Sequence, residues 1–410
     1  MKEIGRLLAQ LHAEEIRKCY HKITIYNTRY DKGTITSSIV TKNFYLYLIN
    51  WGKEFLKIQL PCQSTLTCKM LINLIKENGV TQRKELRLST DYRTQNSKER
   101  VRINLKDVQC YFKNKIQSYE ENRQTTVCTA YGVVVNHIKT VTNERTKIHD
   151  SSIVYQCEII DQDGNRMIER EKDGLLDESQ YLPSVLDRGK AETNNLALEI
   201  RRGSKKLLCI NANVAKKIFE IFLDALKAEY IVSKTSFLHR IKLGQKILNP
   251  FVSISINSVL PTSSNVPVFD DEGNPICEKM LVQNGLLVNF INSTDYAETS
   301  DRAIGCLQYN YETEQFGTGY YSSKISIDTQ LEEHCVEDAV FSAIRDEYIY
   351  FDVQSGQITL TLDGFFKKTQ TPCYYTISEN IADFINRIVS KKGDSIIVDN
   401  MEACNILFTS

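Results

Sequence analysis

Four hundred and ten residues are enough for two to three domains at ~150 residues each. A hydrophobic content of 42% with a charged content of 25% excludes a disordered or fibrous chain. Fifty-one basic residues balance 51 acidic ones, and this zero net charge argues against a chain built to coat nucleic acid or an anionic membrane.

No stretch approaches the ~20 apolar residues of a bilayer span. The start, Met1-Lys2-Glu3-Ile4-Gly5-Arg6, carries an acid and leads into an amphipathic run, which is not the pattern of an export signal. Twelve cysteines run from Cys19 to Cys404 without a C-x-x-C pair, and the tightest pair, Cys62 and Cys68, matches no zinc ribbon. They read as buried thiols in a reducing cytoplasm.

Ile4, Leu7, Leu8 and Leu11 predict an opening helix. Three β-like runs follow, at Ile23–Tyr26, at Thr34–Val40 after the turn signal Asp31-Lys32-Gly33, and at Asn43–Ile49. Leu66, Met70, Leu71, Leu74 and Ile75 predict a second helix that stops at Asn78-Gly79. Residues 80–100 are polar and basic, but Tyr92 is their lone stacking ring, so a solvated linker is expected there rather than a nucleic-acid patch. Val101, Leu105, Val108, Phe112 and Ile116 then predict a connecting helix.

From Thr126 the pattern turns to long strands, with Val133-Val134-Val135, Ile153–Ile160 and an Asp161-Gln162-Asp163-Gly164 turn. A loop is expected over 171–187 and a helix over about 184–201. The strand Lys206–Ile210 precedes Asn211, a good N-cap for a helix from Ala212 to about Ala228, with Val214, Ile218, Ile221, Phe222 and Ala225 on its apolar face. Beyond Phe251, short strands alternate with turns. The class is α+β: an N-terminal α+β layer domain (1–125, with the connecting helix), central strands and helix (126–204), and a mostly β, barrel-like C-terminal domain with a few helices (205–410).

Local chemistry is sparse. His12 begins His-Ala-Glu-Glu, without a second histidine four residues on; His21, His137, His149 and His239 each stand apart from other good ligands in the sequence, and His334 lies in the acidic run around Cys335. There is no G-x-S-x-G elbow, P-loop or G-x-G-x-x-G. A cysteine hydrolase using Cys335 or Cys404 is the weakest reading, since His334 and Cys335, adjacent on a helix, would not face each other.

Phe269-Asp270-Asp271-Glu272-Gly273-Asn274-Pro275, followed by Leu281-Val282-Gln283-Asn284-Gly285-Leu286-Leu287, reads as a strand, a tight acidic turn and a returning strand with a second hairpin at Asn284-Gly285. Taken singly, the carboxylates of that turn read as turn chemistry. The whole pattern resembles the F-D-D-E-G-x-P…L-I-x-x-G-x-L signature of the TldD/PmbA family. Ser236-Phe237-Leu238 with Leu243-Gly244-Gln245-Lys246-Ile247, Ser258-Val259-Leu260-Pro261 and Tyr296-Ala297 are similar to further family stretches in the same order. The match departs after Ala297, where Asp301-Arg302-Ala303-Ile304-Gly305-Cys306 replaces a Gly-Asn-Ala run.

The resemblance implies two kinds of chain: TldD-like ones with H-E-x-x-x-H on a zinc-binding helix, and PmbA/TldE-like ones that lack it and pair with the first kind. Here the matching helix carries Phe219, Glu220 and Asp224 at those positions, and no histidine lies between 150 and 238. Phenylalanine cannot donate to zinc, so the resemblance implies no catalytic or metal residue and no cofactor in this chain. It implies instead zinc in a TldD-like partner, a heterodimer, and a flexible peptide substrate such as a leader peptide. Ser236 and Phe237 become candidate peptide or partner contacts. The alternative is a homo-oligomeric protein-binding regulator without peptidase activity.

Overall fold

A computed structural model describes residues 2–52, 54–62, 67, 69–70, 73, 81–82, 103–143, 147–162, 166–172, 197–258, 260, 267–296, 305–310, 313, 315–328, 337–345, 349–398 and 401–410. The chain divides into two compact units. The first comprises Met1–Tyr181, Pro267–Ile276 and Ala297–Gly305; the second holds the remainder.

The first unit is built on strands β1 (Glu15–Asp31), β2 (Thr34–Asn50), β3 (Glu54–Pro61), β4 (Thr81–Gln82), β5 (Val127–Thr142), β6 (Lys147–Asp161) and β7 (Arg166–Lys172). They form one antiparallel sheet in the order β4-β3-β2-β1-β5-β6-β7. Lys32 and Gly33, both left-handed with φ 45° and 88°, make the two-residue turn that a tight β1–β2 hairpin requires. The two runs expected at Thr34–Val40 and Asn43–Ile49 are thus one strand. Most of its first half is solvent-exposed, so it lacks the apolar alternation that would have marked it as continuous.

Even-numbered residues of β1 point to one face of this sheet, and two helices cover that face. Helix α1 (Lys2–Leu11) buries Ile4 and Leu7 against Ile16, Tyr47, Ile49, Ile58 and Leu60. Helix α2 (Leu105–Arg123) starts at an Asn104–Asp107 capping box and buries Val108, Phe112, Ile116 and Tyr119 against Tyr26, Val134, Tyr155 and Cys157. Gly132 makes room for that approach, because a Cβ there would lie 2.7 Å from the Phe112 ring. Expected as a connector, α2 is a core helix: its apolar stripe needs a partner, and the sheet supplies one.

The second unit contains β8 (Leu198–Glu199), β9 (Leu207–Ile210), β10 (Val252–Ile256), β11 (Lys279–Gln283), β12 (Leu286–Leu287), β13 (Leu307–Asn310), β14 (Gln315–Thr318) and β15 (Ser323–Ile327). Further on come β16 (Ala339–Ile344), β17 (Tyr350–Asp352), β18 (Gln357–Phe366), β19 (Pro372–Asn380), β20 (Ile388–Val398) and β21 (Met401–Thr409). All but β13 and β14 join one twelve-stranded mixed sheet, with the path β12-β11-β10-β15-β21-β9-β16-β18-β19-β8, β17 on β18 and β20 on β21. Helix α3 (Ala212–Ala225) packs on β21 and β16, its first turn capped by the Asn211 side chain accepting from the Val214 N–H, as the sequence predicts. Short helices α4 (Ala228–Val232) and α5 (Ile381–Asn386) complete it. The α+β class stands, with helices few and the C-terminal half mostly β.

Two boundaries move. β5–β7 hydrogen-bond into the first sheet and β8 into the second, so 126–204 is no domain of its own; a strand's period tells which face is buried, not which sheet it joins. The end of the helix expected over about 184–201 is instead β8, pairing parallel with β19. Its earlier part lies outside the described residues, as do most of the helix expected around Leu66–Ile75 and most of the basic segment 80–100. No helix among the described residues is long and apolar enough to cross a membrane.

Candidate functional site

On the opposite face of the first sheet, Arg17, Cys19 and His21 of β1 alternate inward beside His137, Lys139 and Val141 of β5. Covering them is the acidic turn, since Pro267–Ile276 belongs to the first unit. Asp270 organises that turn: one carboxylate oxygen accepts the N–H groups of Glu272 (2.9 Å) and Asn274 (2.8 Å). Gly273 adopts φ +78°, and a Cβ there would lie 2.4 Å from Val141 Cγ2 and 2.8 Å from Cys19 Sγ. Only glycine satisfies both the left-handed backbone and the close approach.

Asp270 does the turn chemistry the sequence led one to expect. Asp271 and Glu272 do more: both are buried and reach cations on the sheet. Lys139 Nζ donates to Asp271 Oδ1 and to the Phe269 carbonyl, each at 2.9 Å. Glu272 pairs with Lys57, and Arg17 donates to Asn274 Oδ1 at 2.6 Å. Asp150 of β6 accepts the Val268 N–H at 3.0 Å. His21 Nδ1 lies 2.9 Å from His137 Nε2, and the His21 ring stacks on Phe44 with centroids 4.8 Å apart.

Burial pushes His21 down to about 4, with Asp271 opposing, and burial likewise holds His137 well below the ordinary imidazole value. Both rings are therefore neutral at neutral pH. For Asp271 burial disfavours the charge, but the Lys139 ammonium, which also donates a hydrogen bond to the carboxylate, outweighs it and holds the acid below the usual carboxylate range. Lys139 is the mirror case: burial works against its charge, and Asp271 with Asp150 more than restores it. Two neutral imidazoles, a carboxylate and an ammonium thus share one buried place. The candidate ligand atoms of His21, His137 and Asp271 all lie within 4.8 Å of one another. In the sequence both histidines stand isolated, because it is β1 and β5 that bring together residues 116 positions apart. The available signal was the matched alternation Arg17-x-Cys19-x-His21 and His137-x-Lys139-x-Val141.

The α3 residues at the expected zinc-motif positions are placed differently. Phe219, Phe222 and Leu223 are fully buried. Glu220 pairs with Lys216 at 3.2 Å and Asp224 with Lys227 at 2.8 Å, one turn apart along the chain. A metal-binding helix would need two imidazoles projecting together, so these residues do not fit a zinc ion. Ser236 is buried and spends its hydroxyl on the Ala225 carbonyl (2.8 Å), while Phe237 is half-buried.

Residues 205–410, half of the chain, match the PmbA/TldA metallopeptidase C-terminal domain. The chain belongs to the PmbA/TldD metallopeptidase family. In overall fold it is similar to TldE from Thermococcus kodakarensis, at 14% identity and a TM-score of 0.71 over 99% of this chain and 98% of that one. It is similar too to a candidate modulator of a DNA gyrase from Thermotoga maritima, at 17% identity and a TM-score of 0.72 over 99% of this chain and 97% of that one. A candidate gyrase modulator from Bacteroides thetaiotaomicron gives 12% identity and a TM-score of 0.64, covering 100% and 97% of the two chains. A search of curated proteins finds no match.

Proposed function

We propose that this chain is the non-catalytic, PmbA/TldE-like subunit of a heterodimeric zinc metallopeptidase acting on flexible peptides, leader peptides among them. The observation that carries the reading is α3. Its Phe219 is core, and its two carboxylates are neutralised by neighbouring lysines rather than aimed at a metal. No histidine of the chain is followed by glutamate, so an H-E-x-x-x-H helix must come from another, TldD-like subunit. Extended peptides suit such a partnership, because strand edges bind backbone without demanding a particular sequence. Phe237, unlike the buried Ser236, is left as the candidate contact with peptide or partner. The cysteines, spread along the chain without a C-x-x-C pair, suit a reducing compartment such as the cytoplasm.

The test is mass spectrometry of unfolded peptides incubated with this chain alone, with a TldD-like chain alone, and with both. Zinc-dependent cleavage that needs both chains is the expected outcome. Robust cleavage by this chain alone would overturn the reading. No cleavage by any combination would move it to the protein-binding regulator.

A further inference from the structure

We propose that His21, His137 and Asp271 bind one divalent transition-metal ion of the zinc class in the first unit. The donors are two imidazole nitrogens and a carboxylate oxygen, buried and within 4.8 Å of one another. A nitrogen-rich set of this kind selects zinc, cobalt or iron over magnesium and calcium, which prefer all-oxygen sites.

The spacing of the two imidazoles is close to what a metal needs. Tetrahedral zinc with bonds of ~2.0–2.1 Å holds two nitrogens roughly 3.3 Å apart. The observed separation of His21 Nδ1 and His137 Nε2 is 2.9 Å, so the rings need to part by only a few tenths of an ångström. Both rings stand on adjacent hydrogen-bonded strands, and Phe44 fixes the plane of His21.

The Lys139 ammonium is the obvious objection, since it repels a metal. It does not act alone. Four buried carboxylates (Asp150, Asp270, Asp271 and Glu272) surround the place, against the cations Arg17, Lys139 and Lys57, with Glu15 at the rim beside Arg17. A divalent ion therefore enters surroundings that carry an excess of negative charge. Bound there, it would tie the acidic turn to both β1 and β5.

The experiment uses the full chain, stripped with chelator under reducing conditions and titrated with Co²⁺ and separately with Zn²⁺. One equivalent of cobalt is expected, with visible absorption of nitrogen and oxygen ligation and no thiolate charge-transfer band. Zinc should raise the melting temperature. Asp271→Asn should weaken binding about a hundredfold or more. Lys139→Met, by removing the opposing charge, should tighten it about tenfold or more. A purely structural cluster would show no such gain. Absence of saturable binding overturns the proposal, as does cobalt bound with a thiolate band that survives Asp271→Asn. Should Asp271→Asn fail to fold, the wild-type spectrum and Lys139→Met still decide.

Discussion

Gly273 meets Val141 across a gap that leaves no room for a methyl group: a Cβ at 273 would stand 2.4 Å from Val141 Cγ2. The contact is between a turn that arrives late in the sequence and a strand laid down more than a hundred residues earlier. It explains why the acidic turn needs glycine at that position rather than asparagine, which also tolerates φ near +78°. Gly273→Ala should therefore cost roughly 2–4 kcal/mol, from left-handed strain plus overpacking. Urea denaturation of the variant should show a lower midpoint with an unchanged slope. An effect below about 1 kcal/mol would mean that the turn lifts off the sheet at little cost.

Lys139 and Asp271 form a buried pair, so removing one partner leaves an uncompensated charge. Lys139→Met alone should destabilise the metal-free chain by about 3–5 kcal/mol. Combined with Asp271→Leu, much of that loss should return, because neither desolvated charge remains. A double-mutant cycle on denaturation midpoints checks this, and strict additivity of the two losses would contradict it.

Phe219 is core, whereas Glu220 lies at the solvent-facing edge of α3. Phe219→Ala should cost about 3–5 kcal/mol, as buried phenylalanines do. Glu220→Gln should stay within about 0.5 kcal/mol, since the chain loses one partly exposed ion pair. The Phe219→His, Asp224→His double variant should gain neither stoichiometric zinc at these positions nor cleavage. Elemental analysis and a peptidase assay, run with Asp271→Asn in the same background to remove the site in the first unit, would detect either.

Glu337 supplies a pH dependence in the second unit. Its carboxylate is buried, which by itself would raise its pKa, but Lys367 (2.8 Å) and Lys392 outweigh burial and bring it to about 2 from an ordinary 4.5. A depressed carboxylate stabilises the fold above its unfolded pKa and loses that contribution as pH falls. Stability should therefore decline between about pH 5 and pH 2 by roughly 1–2 kcal/mol from this group, a figure reduced for the solvent around half-exposed Lys367. Glu337→Gln should flatten that part of the curve. An identical acid slope in wild type and variant would refute the assignment.

The sequence by itself determined the local pieces. Helical spacing in Ile4, Leu7 and Leu11, the Asn211 cap, the glycines of the two tight turns and the strands around Val133–Val135 all encode their own backbone conformation, through capping, steric freedom and periodicity. The order of the TldD/PmbA-like segments was legible for the same reason, since a motif is a local property. Absence of histidine from α3 could likewise be read directly.

Only the tertiary structure decided where those pieces go. Alternation along β1 and β5 marks which residues share a face, yet no local feature says that His21 will meet His137 or that Asp271 will arrive from a distant turn to join them. The same holds for α2, whose apolar stripe demanded a partner without naming the sheet, and for β5–β7, whose period did not say which sheet they would extend. Pairing between distant strands is set by the free energy of burying whole faces at once, and that quantity belongs to the assembled unit rather than to any stretch of chain.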